Sequence, residues 1–176
     1  MKRVVICLAA IASILVSPFV RAEENFATLN DSQLALIRTN CVATRASLER
    51  LHANDALARV NLGREYETIS TKLMAPMNSR IALNNLNGIA TTKTTADFNS
   101  ELADFRTSYQ QYEQTVARTL ETDCKKSPAD FYHGVEQARI YRSEVRESVV
   151  KMSALIKQYK TDVESIQKGS TAETSK

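Results

Sequence analysis

Beyond residue 30, apolar residues recur at steps of three and four along most of the chain, and strand-like alternation is hard to find. That spacing is the mark of amphipathic helices. Leu34, Ile37, Cys41, Thr44, Leu48 and Leu51 form one stripe and predict a first helix over about Ser32–His52, capped by Asn30 or Asp31. Ala58, Leu62, Tyr66, Ile69, Leu73, Met77 and Ile81 predict a second, ending near Asn87. Phe98, Leu102, Phe105, Tyr109, Tyr112, Val116 and Leu120 predict a third, reaching Cys124. A fourth, to about Gln167, carries Phe131, Val135, Ala138, Arg142, Val145, Val149, Met152, Ile156, Tyr159, Val163 and Ile166 in strict 4-3 alternation. The expected fold is all-α: an elongated, antiparallel, coiled-coil-like four-helix bundle over residues 23–168, with a polar tail at 169–176 expected to be disordered.

The polar residues between the stripes set the expected boundaries. Asn54-Asp55 reads either as a break with a fresh cap or as two polar residues within one long helix. Pro76 lies inside the second stripe; it removes a backbone hydrogen bond, so a kink is expected near Leu73. Asn87-Gly88 reads as a stop, and Ile89–Thr95 as a threonine-rich loop ending in a Thr94–Asp97 capping box. Ser127-Pro128-Ala129-Asp130 is the clearest helix start: a serine cap, proline at the first position and an acid at the third. Gly134 weakens the fourth helix by about 1 kcal/mol relative to alanine.

The N-terminal residues have a different pattern. Lys2 and Arg3 precede an apolar and small-residue run from Val4 to Val16; Ser17 and Pro18 end it, and Val20-Arg21-Ala22 precedes Glu23. This is the layout of a secretory signal peptide over residues 1–22, and the run is short for a membrane span. Retention as an uncleaved anchor is the alternative. Cleavage alters the electrostatics. The whole chain has 23 Lys+Arg against 20 Asp+Glu, formally +3. The leader holds Lys2, Arg3 and Arg21 and no acid, so the mature chain is formally neutral. A basic surface for nucleic acid or anionic membrane thereby loses its main support, and no stable membrane insertion is expected after cleavage.

Cleavage also removes Cys7 and leaves Cys41 and Cys124, which in an exported chain read as a disulfide, with two buried free thiols as the alternative. The bond would constrain topology. If the chain folds back near Thr92, Cys124 lies level with about Val60. A first and second helix in one piece would then leave Cys41 about 28 Å away along the axis, whereas a disulfide needs Cα atoms within about 7 Å. A turn near Ala53 cuts the mismatch to about 7–8 Å, so the bond favours four helices. Closing so long a loop would stabilise by about 4–5 kcal/mol on the chain-entropy model. The fourth helix, about 60 Å long, would exceed its neighbours, so that one end protrudes or pairs with another chain.

No catalytic, cofactor-binding or metal-binding constellation stands out. The two histidines, His52 and His133, each lie near an expected helix end, and neither has a second ligand at metal spacing. There is no Cys-x-x-Cys-His and no glycine-rich phosphate loop. Glu144 and Glu147 with Arg142 and Arg146 read as a solvated face with weak ion pairs. Asn30-Asp31-Ser32 fits a glycosylation triplet but is better explained as a cap. Tyr66, Tyr109, Tyr112 and Tyr159 follow core spacing, with a ligand platform as the alternative. Arg142 is the single charge in the fourth seam, and three readings are open: it snorkels to solvent, pairs with an acid across the bundle, or specifies register toward a partner.

Leu34-Ala-Leu-Ile-Arg-Thr-Asn-Cys41, Leu51-His-Ala-Asn-Asp-Ala56 and Ile69-Ser-Thr-Lys-Leu-Met74 resemble a set of uncharacterised short exported helical proteins of small-genome bacteria. The resemblance implies an envelope context and carries no mechanism. The general shape is also similar to periplasmic coiled-coil chaperones of the Skp type, from which this chain departs because those are strongly basic. The expectation is a non-enzymatic bundle, periplasmic, in the cell envelope or extracellular, that acts on a protein partner or self-associates through its fourth helix. A holdase-type chaperone and a helical small-ligand binder are the alternatives.

Overall fold

A computed structural model describes residues 28–173, so the expected signal peptide lies outside the described residues. Among those residues the fold is all-helical, with no strand. Helix α1 spans Asp31–Thr68 and passes through a π-helical segment, Ile69–Met74, directly into α2, Ala75–Leu83. Helix α3 spans Ile89–Glu121 and α4 spans Pro128–Glu173. The chain therefore forms three rods, up, down and up, and not the four helices expected.

The Asn54-Asp55 break does not occur. Neither residue forbids helix, and the Asp55 carboxylate is taken up by side chains of other helices instead of capping a new start. The apolar stripe in fact runs through this point in phase, since Leu51, Asp55, Ala58 and Leu62 continue the 4-3 count. Pro76 acts as an interruption in a particular form. With no N–H at Pro76, the ladder widens just before it, and the Ala75 N–H bonds back to the Ser70 carbonyl. The extra residue in that turn shifts the stripe by one. Leu73, expected inward, is 60% exposed, while Met74 is 1% exposed.

The fold-back also falls earlier than expected. Helix α2 ends in a Schellman arrangement: the Asn85 N–H bonds to Ala82, the Leu86 N–H to Ile81, and Asn85 takes positive φ (56°). The stretch Ile89–Thr95 is helical, not a loop. Three of its hydroxyls are bonded inside the structure: Thr91 donates to the Gly88 carbonyl, Thr95 to that of Thr91, and Thr94 to the Asp162 carboxylate at 2.7 Å. Thr94 is thus a buried residue in the body of α3 and makes no capping box with Asp97.

This earlier turn permits the disulfide. Cys41 and Cys124 are bonded, Cα to Cα 5.6 Å, although α1 is continuous. Moving the turn toward Leu86 brings Cys124 level with about Leu48. Two local effects act in the direction of the remaining offset. The π turn packs an extra residue into the first rod, while Thr122, at φ −72°, ψ 127°, extends the second. Cross-rod pairs follow the same drift: Asn78 meets Thr95 near the turn, and Asp55 meets Tyr112 farther down. The first rod is longer than α4, so α4 is not the overlong member; its end lies beside the α2–α3 turn, where Ile166 and Gly169 face Ile89 and Lys93. Helix α4 runs past the expected Gln167 end, and residues 174–176 lie outside the described ones.

The core is a row of layers centred on α3 and α4. Phe131, Ala138, Val145 and Met152, seven residues apart, are each at most 3% exposed. Val145 and Met152 cluster with Phe98, Leu102 and Phe105 of α3, Ala138 with Tyr112 and Val116, and Phe131 with the Cys41–Cys124 disulfide. Tyr66 packs edge-on against Phe98 and Phe105. Burying each such side chain contributes about 1.5–3 kcal/mol. Gly134 has a reason here: a Cβ at that position would run into the Thr119 side chain, so the glycine lets α3 and α4 approach.

Candidate functional site

Helices α1 and α4 both pack on α3 and leave an open groove between them. At one end it is lined by Leu36, Ile37, Phe131 and Val135; then come Leu48, Leu51 and Ala138. It continues to Ala58, Leu62 and Val149, beside Asp55, Arg59, Arg142 and Arg146. The apolar and charged stretches therefore form one groove along parallel helices.

The charged stretch is built around Asp55, whose side chain is 14% exposed. Arg142 grips it with two bonds, Nε to Oδ2 at 2.6 Å and Nη2 to Oδ1 at 3.2 Å. The Tyr112 hydroxyl donates to Oδ2 at 2.9 Å, and Arg59 Nη2 lies 3.8 Å from the same oxygen. The Arg59 guanidinium sits 5.4 Å from the Tyr112 ring centre, a cation–π distance. Burial pushes the Asp55 carboxyl up, but the Arg142 and Tyr112 hydrogen bonds and both guanidinium charges outweigh it and hold it below the ordinary value. Burial, then the Asp55 carboxylate, pushes the Tyr112 phenol up. Its neighbour Tyr109 is pushed up to about 12 by burial and by Glu113. Neither phenol is thereby suited to proton transfer near neutrality.

Of the three readings open for Arg142, the structure has it pairing with an acid across the bundle while its side chain stays 44% exposed. Asp55 is the residue sequence reasoning missed. Neither reading of Asn54-Asp55, as a fresh cap or as two polar residues within one helix, used the available signal, that Asp55 lies in phase with the inward stripe. The histidines are not brought into one site. His52, in mid-helix, contacts Glu113 at 2.7 Å, whereas His133 lies beside Thr119 and Asp130. The four tyrosines pack in or against the core, and Tyr159 donates toward the Met74 carbonyl and Asn78. Asn30 and Gln33 complete a reciprocal capping box, consistent with the cap reading of Asn30-Asp31-Ser32. Among the described residues, no group of three or more His, Cys, Asp or Glu is placed to hold a metal ion, and no helix is long and apolar enough to cross a membrane.

Neither a curated protein nor a solved structure matches the chain. The model of a family described as a domain of unknown function, DUF4032, matches residues 74–163, which cover α2, α3 and most of α4. Cys124, Tyr112 and Arg142 fall within that match, and Cys41 and Asp55 before it. With just over half of its length matched, the chain belongs to the DUF4032 family.

Proposed function

We propose that this protein is an exported, non-enzymatic helical bundle that acts by protein–protein contact in the cell envelope or outside the cell. The observation that carries the reading is the open α1–α4 groove, with its apolar wall and arginine-rich end. Three rods leave a place between α1 and α4 for another helix, and a partner helix seated there would complete a four-helix, coiled-coil-like arrangement. Export is supported by the leader pattern of residues 1–22 and by a disulfide that persists in oxidising compartments. N-terminal sequencing of the exported chain should begin at Glu23.

The test of contact is site-specific photo-crosslinking in the native envelope, with a probe at Leu36 or Leu51 in the groove and at Val42, exposed and away from it. Discrete adducts are expected from the first two positions and not from Val42. Equal or absent labelling at all three sinks the reading. A holdase would instead suppress aggregation of unfolded clients in proportion to its concentration, and a small-ligand binder would be stabilised by a low-molecular-weight extract.

A further inference from the structure

We infer that the occupant of the α1–α4 groove is an amphipathic helix of a partner protein that presents carboxylates to the arginine end and aliphatic side chains to the rest. The inference rests on the reading of the groove as a protein-contact surface, and it adds the chemistry of the partner.

Charge is the first argument. Around the cavity of about 330 Å³ at the charged end stand Arg59, Arg142 and Arg146, against one carboxylate, Asp55. Asp55 engages both Arg142 and Arg59 and so leaves the wall with excess positive charge. Arg146 is exposed and makes no ion pair among the described residues. Arg59 is 11% exposed, and its Nε is buried without a hydrogen-bond partner. Guanidinium forks of this kind match carboxylates in two-point geometry. The neighbouring Arg139 is already held by Glu136, so the unmatched charge is confined to the Arg59–Arg146 end.

Shape is the second. From Leu36 to Leu62 the groove follows about 39 Å of α1, a length that suits a helix of about 26 residues. Before Asp55 its lining is mostly apolar, broken by Asn40, Thr44, Ser47 and the Arg139–Glu136 pair, and Leu36 and Leu51 remain solvent-exposed on it. A nucleic acid would need phosphate-spaced cations along the whole track. An anionic membrane would need a convex or flat basic face, whereas these arginines line a cleft. An acidic amphipathic helix satisfies both halves of the groove at once.

The test uses the disulfide-intact full chain and two labelled synthetic helical peptides with the same leucine seam, one with glutamates flanking it and one with lysines, measured by fluorescence anisotropy. The glutamate peptide is expected to bind at least about tenfold more tightly. Arg146→Glu, at an exposed position, should abolish that preference, and Leu36→Lys should weaken both peptides. Equal binding of the two peptides that is still lost in Leu36→Lys would overturn the acidic identity while leaving the groove as a contact surface. Binding of neither peptide also overturns the inference, and the crosslinking at Leu36 and Leu51 then decides the contact reading separately. Competition by vesicles of anionic phospholipid, with no competition by neutral ones, would replace the partner helix with a membrane and overturn the inference as well.

Discussion

The N-terminal half of α1 and the α3–α4 pair carry equally regular apolar stripes, yet they are held in different ways. On α4 the heptad residues from Phe131 to Met152 are almost wholly buried. On α1, the residues before Tyr66 that are fully buried are Cys41 and Leu48, while Leu36, Val42, Leu51, Leu57 and Val60 are exposed. The long hairpin is held by packing. The arm is held by a disulfide, by the Asp55–Arg142–Tyr112 cluster, by His52 against Glu113, and by Arg38 donating to the Lys125 carbonyl. Periodicity tells which face of a helix is apolar; whether a neighbour covers that face depends on where the other helices run.

The comparison is broken most severely at the disulfide. Replacing Cys41 and Cys124 by serine should cost about 4–5 kcal/mol. Hydrogen exchange should localise the loss: amides of residues 31–51 lose protection by orders of magnitude while those of the α3–α4 seam hold. Uniform loss over all three rods would show that the arm is as well packed as the hairpin.

Next comes Asp55→Ala, which leaves the part-buried Arg59 and Arg142 without their shared carboxylate. It should destabilise by about 2–3 kcal/mol in chemical denaturation. Glu67→Ala, which removes an exposed partner of Arg106, should cost under about 1 kcal/mol. Similar values for the two would reduce the Asp55 cluster to a surface ion pair.

Glycine replacement sharpens the contrast in packing. Gly134→Ala, on the hairpin seam, should lower stability by about 1–2 kcal/mol through overpacking against Thr119, despite alanine's better helix propensity. Gly63→Ala, on α1, would bring its Cβ to an ordinary 3.5 Å from Phe105 and should raise the melting temperature, a gain of about 0.5–1 kcal/mol.

The smallest effect is with pH. The folded Asp55 value lies below the unfolded one, so its contribution is present above the unfolded carboxylate pKa and is lost as pH falls through the folded value. Denaturation midpoints should therefore decline more steeply below about pH 4 in the native chain than in Asp55→Asn. Parallel slopes would mean that the carboxylate is not held by its arginines.

Much of this was legible in the chain. The all-helical class follows from 4-3 spacing with few glycines and prolines, and the cysteine pair from the even count beyond residue 22. The α4 start is written in Ser127-Pro128-Ala129-Asp130. Those signals are local: each depends on residues within a turn or two of one another. The number of rods was not legible, because it turned on whether the chain would break at Asn54-Asp55 and on where it folds back. Both depend on residues far along the chain: the Asp55 carboxylate is held by Tyr112 and Arg142, and Thr94, in the stretch read as a loop, donates to Asp162. The partner of Arg142 was equally hidden, since a seam arginine states a need for an acid without saying which one. The groove is further still from sequence, being a space between two helices that both chose α3 as neighbour. The helices, their apolar faces and the cysteines available for a clamp follow from the order of residues along the chain. Which faces stay uncovered is a property of the packed rods, because burial and long-range ion pairing depend on their relative register, to which the π turn and the early fold-back both contribute.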